Sequence, residues 1–280
     1  MNFLTCFFEF LCLSCLPLLL IGLAVWGCRS LYCLLVGNRS GYSLIKLASL
    51  LSTPLREAGH AMMAIVFWHR VEDMQLLNLN DPNGEFGFVE HSYNPRNPVA
   101  LLGNFFYALG PVILGLLATL LIFLTCFQGV LPAYLDEIRA LGESGAGVGA
   151  YLAAAFSLLP KMFTAGDAGV AGRIVGCVLL LLLALGIHLS PTELIEAVSG
   201  ALIYGVLAFI AAGVMMLFDE RVMRIALAGF RSFSTVVTAL YLVVLIFAAG
   251  ALLLGAAFGL IRTVLNLDPV VATRDRDFEK

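Results

Sequence analysis

The sequence predicts an all-α polytopic integral membrane protein with about six transmembrane helices and a small β-hairpin after the second helix. Of its 280 residues, 61% are hydrophobic and only 12% are charged, whereas soluble domains carry about 25% charged residues. The mean hydropathy of +0.97 agrees with this class. We therefore expect a single transmembrane domain over residues 1–280, ending in a polar tail over 263–280.

Six apolar runs are long enough to span a membrane, which takes about 20 residues. They lie near residues 10–36, 44–68, 99–127, 172–189, 197–218 and 233–261. In the second run, Thr53 and Pro54 form an N-cap and N1 pair, which predicts that a new helix begins there. Residues 128–171 form the longest non-spanning stretch, and its later half is predicted as an interfacial or re-entrant helix.

The chain changes character between the second and third runs. Val71–Leu79 and Gly84–His91 are short strand-like runs separated by the turn cluster NDPNG. This pattern predicts a β-hairpin. The following Ser92–Pro98 contains two X-Pro steps, which favour an extended or turned chain over a helix.

Charge and cysteine usage exclude several classes. The net charge of −3 and the lack of a basic run argue against nucleic acid; the expected partners are membrane lipid and another membrane protein. Cys12 and Cys15 form a C-x-x-C inside the first apolar run without a second pair, which favours small buried thiols over a redox or zinc site. No Lys or Arg precedes that run, and Glu9 is acidic, so we expect a retained helix instead of a secretory signal.

An acid and an imidazole stand in the middle of the second apolar run. Glu57 and His60 are three residues apart, so a helix places them on one face. Ionisable groups at membrane depth are costly and are therefore functional candidates. The alternative is that Glu57 pairs with Arg56 or Arg70 within the bundle.

The chain has four histidines, and with six spans all of them fall in the same half of the membrane. His69 lies at a span end, where an interfacial residue is expected. His60, His91 and His188 could converge on zinc, which imidazole nitrogens bind at about 2.0–2.1 Å. The alternative for His91 and His188 is again an interfacial position.

Longer stretches resemble a known family. REAGHAMMAIVFWHRVEDMQLLN resembles the H-E-x-x-H helix and following strand of the site-2 protease family of intramembrane zinc metallopeptidases. A bacterial branch of that family is closer, with analogues of GEFGFVEHSYNPRNP, GNFFYALGPVILG and HLSPTELIEAVSG in the same order. The resemblance covers about residues 44–200 as a metallopeptidase-like core, leaving extra helices over 1–43 and 201–262, and it implies a bacterial cytoplasmic (inner) membrane.

The resemblance assigns roles residue by residue. Glu57 matches the general base that activates metal-bound water, and His60 matches the second histidine ligand. Arg56 stands where the first histidine ligand is expected, and a guanidinium has no lone pair for a metal. The family's third ligand is an Asp; Asp167 is the nearest match but falls on the opposite side. Further site candidates in the matching stretches are Asn94, Asn104 and Glu193.

Two functions follow from this pattern. In the first, Zn²⁺ is held by His60, His91 and His188 with a water, and Glu57 acts as base to hydrolyse a peptide bond in or near a membrane segment. In the second, the metal has been lost, and the fold survives as a pseudoprotease that binds a membrane partner. In either case the hairpin edge could accept an extended segment by strand addition.

Overall fold

The computed structural model describes residues 3–36, 39–80, 86–164, 169–217 and 220–265, and it is mostly helical. Within these ranges the chain forms α1 (Phe3–Val36), α2 (Arg39–Val66), β1 (Arg70–Gln75), β2 (Phe88–Ser92), α3 (Pro98–Cys126), α4 (Val130–Ser144), α5 (Val148–Thr164), α6 (Val170–Ala184), α7 (Pro191–Leu217) and α8 (Glu220–Val264). α3 lies at the centre and packs against α2, α6, α7 and α8, while α1 packs along α8.

Four of the described helices, α1, α3, α7 and α8, are long and apolar enough to cross a membrane. α6 has only 15 residues, or about 22 Å, which is less than the roughly 30 Å of a bilayer core. α2 contains charged residues within its apolar run. The total of about six spans therefore stays a prediction, whereas the helical membrane class agrees with the four long helices.

α2 continues through Pro54 without a break, so the prediction that a new helix begins at Thr53 is wrong. Proline lacks an N–H and leaves the carbonyl of Leu50 without its usual partner within the helix. Such a loss is tolerated where neighbouring helices support the backbone, and α2 packs along α3. The Ser52 hydroxyl also donates to the Ala48 carbonyl at 3.0 Å, within the same turn.

Two glycines allow α2 and α3 to approach closely. A Cβ placed on Gly59 would lie 2.6 Å from the Gly110 carbonyl oxygen, which is closer than real Cβ contacts. Small residues at such crossings let the backbones touch. Because Tyr107 is one turn from Gly110, this approach brings its ring beside the imidazole of His60, with ring centroids 4.5 Å apart.

A left-handed residue ends α2 and turns the chain into the hairpin. Trp68 has a φ of 61°, and its N–H donates to the Ile65 carbonyl at 3.2 Å. The next amide, of His69, donates to the Ala64 carbonyl at 2.8 Å. This bond pattern is a Schellman motif, which usually places glycine at the left-handed position.

β1 and β2 form the predicted antiparallel hairpin, with Met74 opposite Val89 and an irregularity between Val71 and Asp73. The predicted turn NDPNG falls mostly on residues 81–85, outside the described residues. After β2 the chain is non-helical up to residue 97, as predicted. Asn97 then caps α3, because its side chain accepts the Val99 N–H at 3.0 Å.

The glycine contact predicts opposite effects for two similar substitutions. Gly59→Ala should lower the free energy of unfolding by about 1–3 kcal/mol, because the new methyl group overpacks the α2–α3 contact. Gly27→Ala in α1 is the matched control, since no atom lies within 4 Å of its Cβ position and alanine is the better helix former. Thermal unfolding in detergent measures both; equal effects would contradict this assignment.

Candidate functional site

A cavity of about 830 Å³ lies between the middle of α2, the strand β2 and the first turn of α7. It contains five of the predicted site residues, namely Arg56, Glu57, His60, His91 and Glu193. The other lining residues are Arg29, Thr53, Glu72, Phe86, Gly87, Phe88, Val89, Glu90, Tyr107 and Glu196. The structure therefore places acid, imidazole and guanidinium groups of the predicted helix and hairpin in one cavity.

The carboxylate of Glu193 is the centre of the polar contacts in this cavity. Its Oε1 forms an ion pair with Arg56 Nη2 and lies 3.1 Å from His60 Nε2. Both partners come from α2, whereas Glu193 belongs to α7. One buried carboxylate thus connects the two helices.

A capping box holds Glu193 in place at the start of α7. The Ser190 hydroxyl accepts the Glu193 N–H at 3.2 Å, and Glu193 Oε2 accepts the Ser190 N–H at 2.8 Å. Pro191 follows at the first helical position, where its missing N–H does no harm. The sequence Ser-Pro-Thr-Glu is therefore the local reason why this carboxylate points back from the helix end.

His60 and Glu57 are both buried, and each has a defined neighbour. His60 Nδ1 donates to the Tyr107 carbonyl at 3.0 Å. Glu57 Oε1 lies 4.0 Å from Arg56 Nη1, which agrees with the alternative that Glu57 pairs with Arg56. The backbone of Gly87 covers Glu57, since a Cβ there would lie 2.8 Å from the Glu57 Cγ.

The rings of His69, His91 and Tyr107 pack together beside His60. The ring of His91 lies 4.1 Å from that of Tyr107 and 4.9 Å from that of His69, measured between centroids. Burial, together with the nearby imidazoles of His69 and His60, lowers the pKa of His91 to about 4. His91 is therefore neutral at pH 7.

His69 is not the interfacial residue that its position near a span end predicted. It is only 5% exposed, and its Nε2 donates to the Ala100 carbonyl at 2.7 Å. The physical reason is the left-handed turn at Trp68, which carries the chain back onto the start of α3.

The remaining predicted residues lie elsewhere. His188 is buried in the connector before α7, and its Nδ1 donates to the Gly186 carbonyl at 3.1 Å. Asn104 is buried between helices and donates to Ser199 Oγ at 3.0 Å. Asn94 is exposed and accepts the Arg96 N–H at 3.0 Å in a turn. Asp167 lies outside the described residues.

The side chains around Glu193 do not fit a zinc ion. Among the described residues, no group of three or more His, Cys, Asp or Glu side chains is arranged to hold a metal. Arg56 has no lone pair to offer, and both nitrogens of His60 already have partners. The set His60, His91 and His188 gains no geometric support and stays a prediction.

Sequence reasoning missed several residues of the cavity. Tyr107 donates its hydroxyl to the Val89 carbonyl at 3.1 Å, yet it stands in an apolar run that showed only small residues and aromatics. Arg29 stands in the first predicted apolar run; in the structure it lies within α1 and donates to the Leu185 carbonyl. A charged residue inside an apolar run was the signal that could have identified it.

Comparison with protein-family models, curated proteins and solved structures yields no match to this chain. The resemblance to the site-2 protease family is therefore still a prediction.

Removing the charge of Glu193 tests the centre of the site. Glu193→Gln keeps the capping box but leaves Arg56 and His60 without their carboxylate. We expect the free energy of unfolding to fall by about 2 kcal/mol, below the 3–5 kcal/mol typical of a fully buried pair, because the Arg56 side chain is 29% exposed. The control is Glu196→Gln, one turn further along α7 and exposed; a similar loss there would contradict the assignment.

The lowered pKa of His91 predicts a pH dependence of stability. Between pH 6.5 and about 4 the unfolded chain binds a proton at this residue while the folded chain does not, so stability should fall as the pH falls through that window. His91→Phe keeps an aromatic ring beside Tyr107 but cannot titrate. Unfolding temperatures at pH 7 and pH 5 should differ less for His91→Phe than for the wild type; an unchanged difference would exclude His91 as the cause.

Proposed function

We propose that this chain is a catalytically inactive, protease-like membrane protein that binds an extended, positively charged segment of a partner membrane protein. The observation that carries the proposal is the ion pair between Arg56 and Glu193, beside His60. This ion pair engages side chains that a metallopeptidase would keep free to bind the metal and its water. We further propose that the chain has six transmembrane spans and lies in a bacterial inner membrane.

The chemistry of the cavity favours binding over hydrolysis. A catalytic zinc site needs three protein ligands and one open position. Here a guanidinium stands in the first of the three positions, and Glu57 lies 4.0 Å from it. A carboxylate beside a fixed cation is suited to structural pairing.

The strand β2 offers a backbone edge to a ligand. Within the part of the chain that the structure describes, it pairs with β1 alone, and its residues 88–91 line the cavity. The Val89 carbonyl accepts from Tyr107, so it points away from β1, and in an antiparallel strand the N–H of the same residue points the same way. An extended segment could pair with this edge by strand addition.

The charge of the cavity suggests the chemistry of the segment. Five carboxylates line it against two guanidiniums, and three of the five are exposed. The exposed carboxylates are Glu72, Glu90 and Glu196. Lys and Arg commonly flank transmembrane helices, so an extended stretch next to a partner's helix would be complementary in charge.

A proline at the strand edge tests the binding mode. Val89→Pro removes the outward N–H while leaving the bonds to β1, and proline is tolerated at such edge positions. We expect it to weaken binding of a fluorescent nonapeptide of alternating valine and lysine by about tenfold, or 1.4 kcal/mol. Fluorescence anisotropy in detergent measures the affinity, and Val89→Ala is the control, which should bind almost as the wild type does.

Two further outcomes bear on the same proposal. The same peptide with glutamate in place of lysine should bind more weakly, and equal binding would exclude charge recognition. Cleavage of the lysine peptide by the wild type, lost in Glu57→Gln, would overturn the inactive assignment and restore the metallopeptidase hypothesis.

A further inference from the structure

We propose that the Arg56 guanidinium is the permanent cation of this centre, taking the place of a divalent metal ion, with Glu193 in the position of the third ligand. The cation assignment rests on the same ion pair between Arg56 and Glu193 as the inactive assignment above, so zinc bound in the wild type would overturn both. Peptide binding at β2 is independent of this ion pair, so a failure to bind the peptide would leave the cation assignment standing.

Contacts around the guanidinium resemble those of a bound cation. Arg56 reaches Glu193 Oε1 through Nη2 and lies 4.0 Å from Glu57 Oε1 through Nη1. It therefore stands between two carboxylates that come from different helices. A metal ion at the same point would be expected to bridge α2 and α7 in the same way.

The hydrogen bonds of His60 define its role. Its Nδ1 faces the Tyr107 carbonyl at 3.0 Å and its Nε2 faces the Glu193 carboxylate at 3.1 Å. Both partners are oxygen atoms that accept hydrogen bonds. Each ring nitrogen of His60 therefore already has a protein partner, so neither is open to a metal in this arrangement.

Charge balance explains why no divalent ion is needed. Arg56 is a permanent cation beside the carboxyl groups of Glu57 and Glu193. A zinc ion added next to it would meet a like charge. With a neutral histidine at position 56, the two carboxyl groups would have no permanent cation beside them, which suits one divalent ion.

The geometry agrees with such a replacement. Two ligand atoms bound to one tetrahedral zinc, each at about 2.0–2.1 Å, lie about 3.3 Å apart. The distance between His60 Nε2 and Glu193 Oε1 is similar, at 3.1 Å. Position 56 is four residues before His60 on α2, which is the spacing of the two histidines in H-E-x-x-H. A histidine at position 56 would therefore supply the missing third zinc ligand.

The test is the zinc content of purified variants. Wild type, Arg56→His, Arg56→Lys and the double variant Arg56→His/Glu193→Gln are equilibrated with excess zinc chloride, freed of unbound metal by gel filtration and measured by mass spectrometry. We expect about one zinc per chain for Arg56→His. The wild type, Arg56→Lys and the double variant should hold almost none at this site.

Each alternative result has a definite meaning. Zinc in the wild type that is lost in His60→Ala would overturn the proposal, because a metal would then share the centre with Arg56. A folded Arg56→His variant without zinc would exclude Glu193 as the third position. Zinc that persists in Arg56→His/Glu193→Gln would exclude it as well.

A stability measurement covers the case in which Arg56→His is poorly folded without metal. Zinc should raise the unfolding temperature of Arg56→His and leave that of the wild type unchanged, since only a state with a metal site gains from the ligand. Equal shifts in both proteins would contradict the proposal.

Discussion

The rest of the site depends on the contacts of the Glu193 carboxylate. It is only 7% exposed, so its charge is stable only if donors replace the lost water. Arg56, His60 and the amide of Ser190 supply them from α2 and from the start of α7. Their convergence connects α2 to the start of α7 beside β2, where the cavity lies.

Local patterns in the sequence were sufficient for much of this arrangement. The spacing of Glu57 and His60 placed both on one helix face, and two short strand-like runs separated by a turn cluster located the hairpin. The capping residues of α3 and α7 also follow from sequence, because Asn97 and Ser190 bond to amides only two or three residues away. Such features depend on contacts within one turn and therefore need no knowledge of the fold.

The errors have a common physical origin in contacts between distant segments. Pro54 was expected to begin a helix, yet packing of α2 on α3 keeps the helix continuous. His69 was expected at an interface, but a turn at Trp68 buries it on α3. The role of Glu193 could not be seen either, since its partners lie 137 and 133 residues away along the chain.

Tyr107 gives the site a mechanical consequence. Its carbonyl accepts from His60, its hydroxyl donates to Val89, and its ring lies 4.1 Å from that of His91. A single residue of α3 thus connects the buried imidazole to the open strand edge. A molecule that took the place of this hydroxyl at the Val89 carbonyl would therefore act on the same residue whose carbonyl accepts from His60.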